Sequence, residues 1–177
     1  VLPLGETFVG YTTTMNPQNH YHYGFSVSCN NDGTKIAVGA PSTYTGSGNT
    51  ALSSAGHVFT YHLVNSSWTQ LAAPIVRGPG NGCSVSLSGD GNRLAMGERL
   101  VYPGSNAGSV GVFEYDNSSS WTQLGSNIEF PFTEDKFVSL SDSGNSLAIG
   151  RVNSGLFGGI FNLYNNTWVD QGINILS

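Results

Sequence analysis

The sequence predicts an all-β chain of three four-stranded antiparallel units of the propeller-blade kind, with one extra strand at the N-terminal end. Three observations carry that expectation. A hairpin-like segment is written three times, as FSVSCNNDGTKIAVGAP from Phe25, CSVSLSGDGNRLAMGE from Cys83 and KFVSLSDSGNSLAIGR from Lys136. A second segment, GHVFTYHL, GSVGVFEY or GGIFNLY, follows each of them after a Gly/Ser-rich loop. The tryptophans that come next, Trp68, Trp121 and Trp168, lie 53 and 47 residues apart, near the repeat of roughly 40 to 50 residues that propeller blades show.

The first strand of each unit alternates apolar residues, through Phe25, Val27 and Cys29, then Val85 and Leu87, then Val138 and Leu140. That is the period of a strand with one buried face. Asp32-Gly33, Asp90-Gly91 and Ser143-Gly144 supply the positive-φ residue of a tight turn. Ile36 and Val38, Leu94 and Met96, and Leu147 and Ile149 mark the returning strands. The third strand turns at Asn65, Asn117 or Asn165, and the fourth begins at the tryptophan. The units are expected over residues 23–76, 82–130 and 135–176, within one domain of residues 1–177. At the start, LPLGETFVG aligns with TQLGSNIEF after Trp121, so residues 1–10 read as a fourth strand lacking its own first three, with Leu2, Leu4 and Phe8 as its apolar positions. A β-trefoil is the alternative architecture, but its Gln-x-Trp signature is reversed here to Trp-x-Gln at Trp68–Gln70 and Trp121–Gln123.

The stretches YGFSVS and IAVGAP, Tyr23 to Ser28 and Ile36 to Pro41, resemble the FG-GAP repeat, the blade unit of integrin-α-like propellers and of many secreted repeat proteins. The likeness covers three units and weakens along the chain, where Gly-Ala-Pro becomes Gly97-Glu98 and Gly150-Arg151. It implies propeller blades and an extracellular setting. The calcium loop of the integrin type is missing: NNDGT, SGDGN and SDSGN are too short and ligand-poor for a calcium cage. No metal and no cofactor is therefore expected.

Charge is sparse, 10% of residues, and the six basic side chains are dispersed in a chain of net charge −5, which argues against a nucleic-acid partner. No apolar run has the length of a membrane span. Asn65-Ser66-Ser67, Asn117-Ser118-Ser119 and Asn165-Asn166-Thr167 each satisfy the N-glycosylation rule, at equivalent corners of the three units. Glycans there would hydrate a surface that has few charges and would place the protein outside the cell or on its surface. The two cysteines, Cys29 and Cys83, are expected to stay reduced on the buried strand face, since aligned strands separate them by four positions, about 13 Å at strand rise and beyond disulfide reach.

Signals for chemistry are weak. Glu134-Asp135 is the only adjacent acidic pair, His20 with His22 lacks a third ligand, GSNAG at 104–108 is not a nucleophile elbow, and GPGNG at 78–82 reads as a linker. The chain is accordingly expected not to be an enzyme. The leading expectation is an extracellular structural or adhesive repeat glycoprotein, a fibre subunit joined through residues 1–10 by strand addition to copies of itself or to other repeats. The alternatives are a carbohydrate-binding module using Tyr44, Tyr102 and Phe157 in equivalent loops, and a fragment of a longer propeller. Three blades are fewer than the four to eight that normally close a ring, so further repeats or other chains would complete it.

Overall fold

The structure, a computed structural model, describes residues 22–41, 56–77, 81–98, 108–116, 118–130, 135–151 and 158–172. Within them fourteen strands form three antiparallel sheets, and no helix occurs. Sheet 1 holds β1 (Ser26–Cys29), β2 (Lys35–Ala40), β3 (Gly56–Val64), β4 (Ser67–Gln70) and β5 (Ile75–Arg77). Sheet 2 holds β6 (Asn81–Leu87), β7 (Arg93–Glu98), β8 (Ser109–Tyr115), β9 (Trp121–Gln123) and β10 (Ile128–Glu129). Sheet 3 holds β11 (Lys136–Leu140), β12 (Ser146–Arg151), β13 (Gly159–Tyr164) and β14 (Thr167–Asp170). Each is an up-and-down meander. The expected fourth strand is broken in two in sheets 1 and 2: β4 and β5 both pair with β3, and β9 and β10 both pair with β8. In sheet 1 the break falls at Leu71–Pro74, where a proline cannot donate to a ladder.

Local chemistry fixes the turns. Between β1 and β2, Gly33 has φ 70°, and the Asp32 carboxylate accepts from the Thr34 amide at 2.9 Å. Gly91 and Gly144 repeat the left-handed φ at the equivalent turns of sheets 2 and 3, where Asp90 accepts from the Asn92 amide at 2.9 Å. At the second corner, Val64 pairs with Ser67 and Tyr164 with Thr167, leaving two-residue loops. Asn65 and Ser66 have φ 48° and 67°, and Asn165 and Asn166 have φ 46° and 60°, the left-handed pair that such hairpins require and that asparagine tolerates.

The sheets stack face to face in chain order. Ala37 and Val58 of sheet 1 pack on Val85, Leu87, Leu94, Met96 and Phe113 of sheet 2. Ala95, Val110, Val112 and Ile128 of sheet 2 pack on Leu140, Leu147, Ile149 and Phe161 of sheet 3. Every sheet thus has a front face of large apolar residues and a back face built around a small one, Ala37, Ala95 or Ala148. Both interfaces bury a row of branched and aromatic side chains, each contributing about 1.5–3 kcal/mol.

One expectation fails in sheet 1. The alternating residues at and just before β1 that should be buried are not: Phe25 is 52% exposed, Val27 70%, and Cys29 is exposed as well. Their counterparts Val85 and Leu87 are buried because sheet 1 covers them, whereas among the described residues no sheet stacks on the front of sheet 1. Alternation marks the face that should be covered; it does not provide the cover. Neither cysteine is in a disulfide, Cys83 being buried and Cys29 on the open face, so the expectation of two buried thiols holds for Cys83 alone.

Candidate functional site

The edge strands β1, β6 and β11 carry serines on their back faces, and those of β1 and β6 tie sheet to sheet. The Ser28 hydroxyl accepts from the Leu87 amide at 3.0 Å. One interface further on, Ser86 accepts from Leu140 at 2.9 Å and Ser84 from Val138 at 3.1 Å. Ser26 donates to the Gly82 carbonyl at 2.8 Å. The approach is close enough that a methyl group on Gly39 would lie 2.1 Å from the Gly82 carbonyl oxygen, and one on Gly97 2.1 Å from that of Lys136. Glycine is required at both positions.

A second set of links joins the turns. The Lys35 ammonium donates to Asn92 at 2.6 Å and to the Asp90 carbonyl at 3.2 Å in the next sheet. Arg93, at the matching place in sheet 2, reaches the Gly144 carbonyl at 3.3 Å and the Asn145 side chain, and is paired with Glu114 at 3.0 Å. The Asn31 amide donates to the Gly89 carbonyl at 3.0 Å, and the Gly89 amide to that of Asp142 at 2.8 Å. Asp90 sits below the usual carboxylate range: burial works against its charge, but hydrogen bonds from Ser88 and Asn92 outweigh it. Trp121 and Trp168 reach back to the preceding sheet, donating to Thr60 Oγ1 and to the Leu124 carbonyl, each at 3.0 Å.

At the front of sheet 1 this system stops among the described residues. Tyr23, Gly24, Val27, Cys29, Ile36 and Val38 border an open apolar hollow of about 440 Å³. Tyr23 packs edge-on against Phe59 with ring centroids 5.3 Å apart, and its hydroxyl donates to that of Tyr61 at 2.9 Å. Burial, and then the Tyr61 hydroxyl, push the Tyr23 phenol well above its ordinary pKa, so it stays neutral. The hollow is therefore apolar and uncharged. At the far end, the back of sheet 3 leaves Phe137 47% exposed, with Ser139 and Ala148 exposed beside it.

The sequence-predicted sites fall in different places. Asn65 and Asn165 stand exposed on their corner turns. Asn117 lies outside the described residues, as do Leu2, Leu4 and Phe8 of the expected assembly strand, His20, Glu134, and the loop aromatics Tyr44, Tyr102 and Phe157. Among the described residues no three His, Cys, Asp or Glu side chains are grouped as metal ligands would be, and no helix is long and apolar enough to cross a membrane. Lys136, read on sequence as one of the dispersed basic residues, is fully buried with its ammonium 5.5 Å from the Phe130 ring centroid.

No protein family matches the chain, and no curated protein matches it. Among solved structures it is similar to a candidate 6-phosphogluconolactonase from Bacteroides fragilis, with TM-score 0.57 and 17% identity over 85% of this chain and 38% of that one. It is also similar, at TM-score 0.49 and 11% identity, to a protein of unknown function from Desulfotomaculum acetoxidans, over 82% of this chain and 54% of that one. The chain thus spans little more than a third of the first of these and about half of the second. The first likeness corrects the expectation that the chain is not an enzyme, because its fold is shared with a protein that bears an enzyme's name. Motif searching misses such a possibility for a physical reason: a repeat scaffold draws site residues from loops far apart in sequence.

Proposed function

We propose that the three sheets are propeller blades of the FG-GAP kind and that the chain is an extracellular structural or adhesive repeat glycoprotein, acting through protein surfaces at the ends of its stack. One observation carries this reading: the front-face positions that a preceding sheet buries at Val85, Leu87 and Leu140 are exposed at their sheet 1 counterparts Val27 and Cys29. Each sheet closes its own hairpins and meets its neighbours by its faces and its turns, an arrangement that supports blades over the shared hairpins of a trefoil. An uncovered apolar face of this kind marks a protein-interaction surface. Exposed sequons on the corner turns at Asn65 and Asn165 support the extracellular part of the reading, since both acceptor side chains are open to solvent.

Production in a secreting eukaryotic cell tests both parts. The expected result is secreted protein that loses mass on glycosidase treatment, with slow hydrogen exchange at the Leu87 and Leu140 amides that cross between sheets. Unglycosylated protein retained in the cell would remove the extracellular reading. Fast exchange at those two amides would remove the stacked blades.

A further inference from the structure

The two open ends of the stack complement one another, and we propose that the front of sheet 1 is covered by the back of sheet 3 of a second copy of this chain, two copies closing head to tail into one ring of six sheets. The inference rests on the blade reading above. It is carried by position-by-position continuity with the two interfaces inside the chain. At both, a back-face serine accepts the amide of a front-face residue: Ser28 from Leu87, Ser86 from Leu140. Ser139 is the third serine of that series and is exposed, and Cys29 is the front-face residue matching Leu87 and Leu140, also exposed. Seating one end on the other brings the Ser139 hydroxyl of one copy to the Cys29 amide of its partner.

A departure from the serine series fits the same occupant. Where sheets 1 and 2 have Ser26 and Ser84, sheet 3 has Phe137. Ser26 donates to the carbonyl of Gly82, and the residue matching Gly82 at the open end is Gly24, which borders the apolar hollow of about 440 Å³ with Tyr23 and Val27. A methyl group on Gly24 would meet nothing within 4 Å. An aromatic ring delivered from the Phe137 position enters that hollow, where a serine would leave it empty. The contact is head-to-tail, so it closes only if its rotation sums to a full turn. Six sheets lie within the four to eight that close.

Sedimentation of the 177-residue chain, made without glycans, tests the proposal beside Val27→Asp and Phe137→Asp. Both substituted side chains are exposed within one copy, so each variant is expected to fold. The wild type should sediment at twice the 18.7 kDa of one chain, and each variant at half the wild-type mass, whereas Val64→Asp at the outer corner should leave the pair intact. The Cys29 thiol should react slowly with a maleimide in the wild type and fast in both variants. A monomeric wild type, a ladder of larger species, or a pair that survives either substitution overturns the proposal. Exchange at the Leu87 and Leu140 amides separates this outcome from failure of the blade reading: slow in a monomer, they keep the blades and reject only the pair; fast, they reject the blades themselves.

Discussion

The amide of Leu140 donates to the hydroxyl of Ser86 at 2.9 Å, so sheet 3 is held to sheet 2 by a side chain from one edge strand and the backbone of the next. A strand edge facing another sheet would otherwise strand its amides away from water. Serine supplies the acceptor without adding bulk. Replacing Ser86 with Ala should therefore cost about 1–3 kcal/mol, the penalty of an unsatisfied buried donor, read as a shift of the urea midpoint. Ser139→Ala, measured in the monomeric Val27→Asp background, should leave the midpoint unchanged. Equal losses at the two positions would show that the serines act otherwise than as inter-sheet acceptors.

Glycine on the second strand gives a sharper contrast. Gly39, Gly97 and Gly150 occupy the same place in their sheets, yet a methyl group on the first two would strike backbone oxygens at 2.1 Å, while on Gly150 it would find only the Phe137 Cβ at 3.9 Å. Gly97→Ala should force the sheets apart and lower stability by about 3 kcal/mol, the upper end of the usual overpacking cost. In the Val27→Asp background, Gly150→Ala should be neutral or slightly stabilising, as strands prefer alanine to glycine. Thermal unfolding of the two variants side by side decides it, and a neutral Gly97→Ala would contradict the close approach.

Much of this was legible in the sequence, and the reason is repetition. Alternation at Val85 and Leu87 and the Asp-Gly turns specify hairpins locally, so strand existence and pairing followed from residues close in sequence. The break in the fourth strand at Leu71–Pro74 has a local signal in Pro74, which cannot donate to a ladder, but the recurring tryptophan dominates the pattern there. What local pattern could not give was which faces are covered. Val27 and Val85 look alike in sequence, and only the stacking order separates an exposed residue from a buried one. The serines at Ser28 and Ser86 likewise read as solvent-facing members of an alternating strand until a neighbouring sheet was placed against them. Buried Lys136 gave no sequence signal at all, since its surroundings come from Phe130 and the adjoining sheet.

Asn65 and Asn165 are each the first residue of a two-residue turn with positive φ, so changing the asparagine itself would disturb the hairpin. Ser67→Ala and Thr167→Ala abolish the acceptor rule and leave the turn residues in place. In protein secreted from a eukaryotic cell, each substitution should remove one glycan's mass, with unchanged melting behaviour after deglycosylation. Peptide mapping that finds Asn65 and Asn165 bare in the parent protein would show that these corners are shaped for the turn alone.

Asp116 closes the corner of sheet 2 by accepting hydrogen bonds from the Ser118 amide at 2.8 Å, the Ser120 amide at 3.1 Å and the Ser120 hydroxyl at 2.5 Å. The Ser120 hydroxyl and then the Ser118 amide hold its carboxyl well below the ordinary carboxylate range. Asp32 is lowered in the same direction by the Thr34 hydroxyl and amide. A carboxylate whose pKa is depressed on folding binds protons more readily in the unfolded chain. Its stabilisation is therefore complete above the unfolded value, about 3.9 for aspartate, and is lost as the pH falls through the lower folded value. The melting temperature should accordingly be flat with respect to these groups near neutrality and decline with acid below about pH 4. Asp116→Asn keeps an acceptor oxygen but cannot titrate, so the variant should start with a lower melting temperature at pH 6 and lose less on acidification. Parallel curves for the two proteins across that range would show that Asp116 is not a source of the acid sensitivity. Convergence of the curves at low pH is the expected outcome, because the protonated aspartic acid and the asparagine then offer the Ser118 and Ser120 donors the same single carbonyl oxygen.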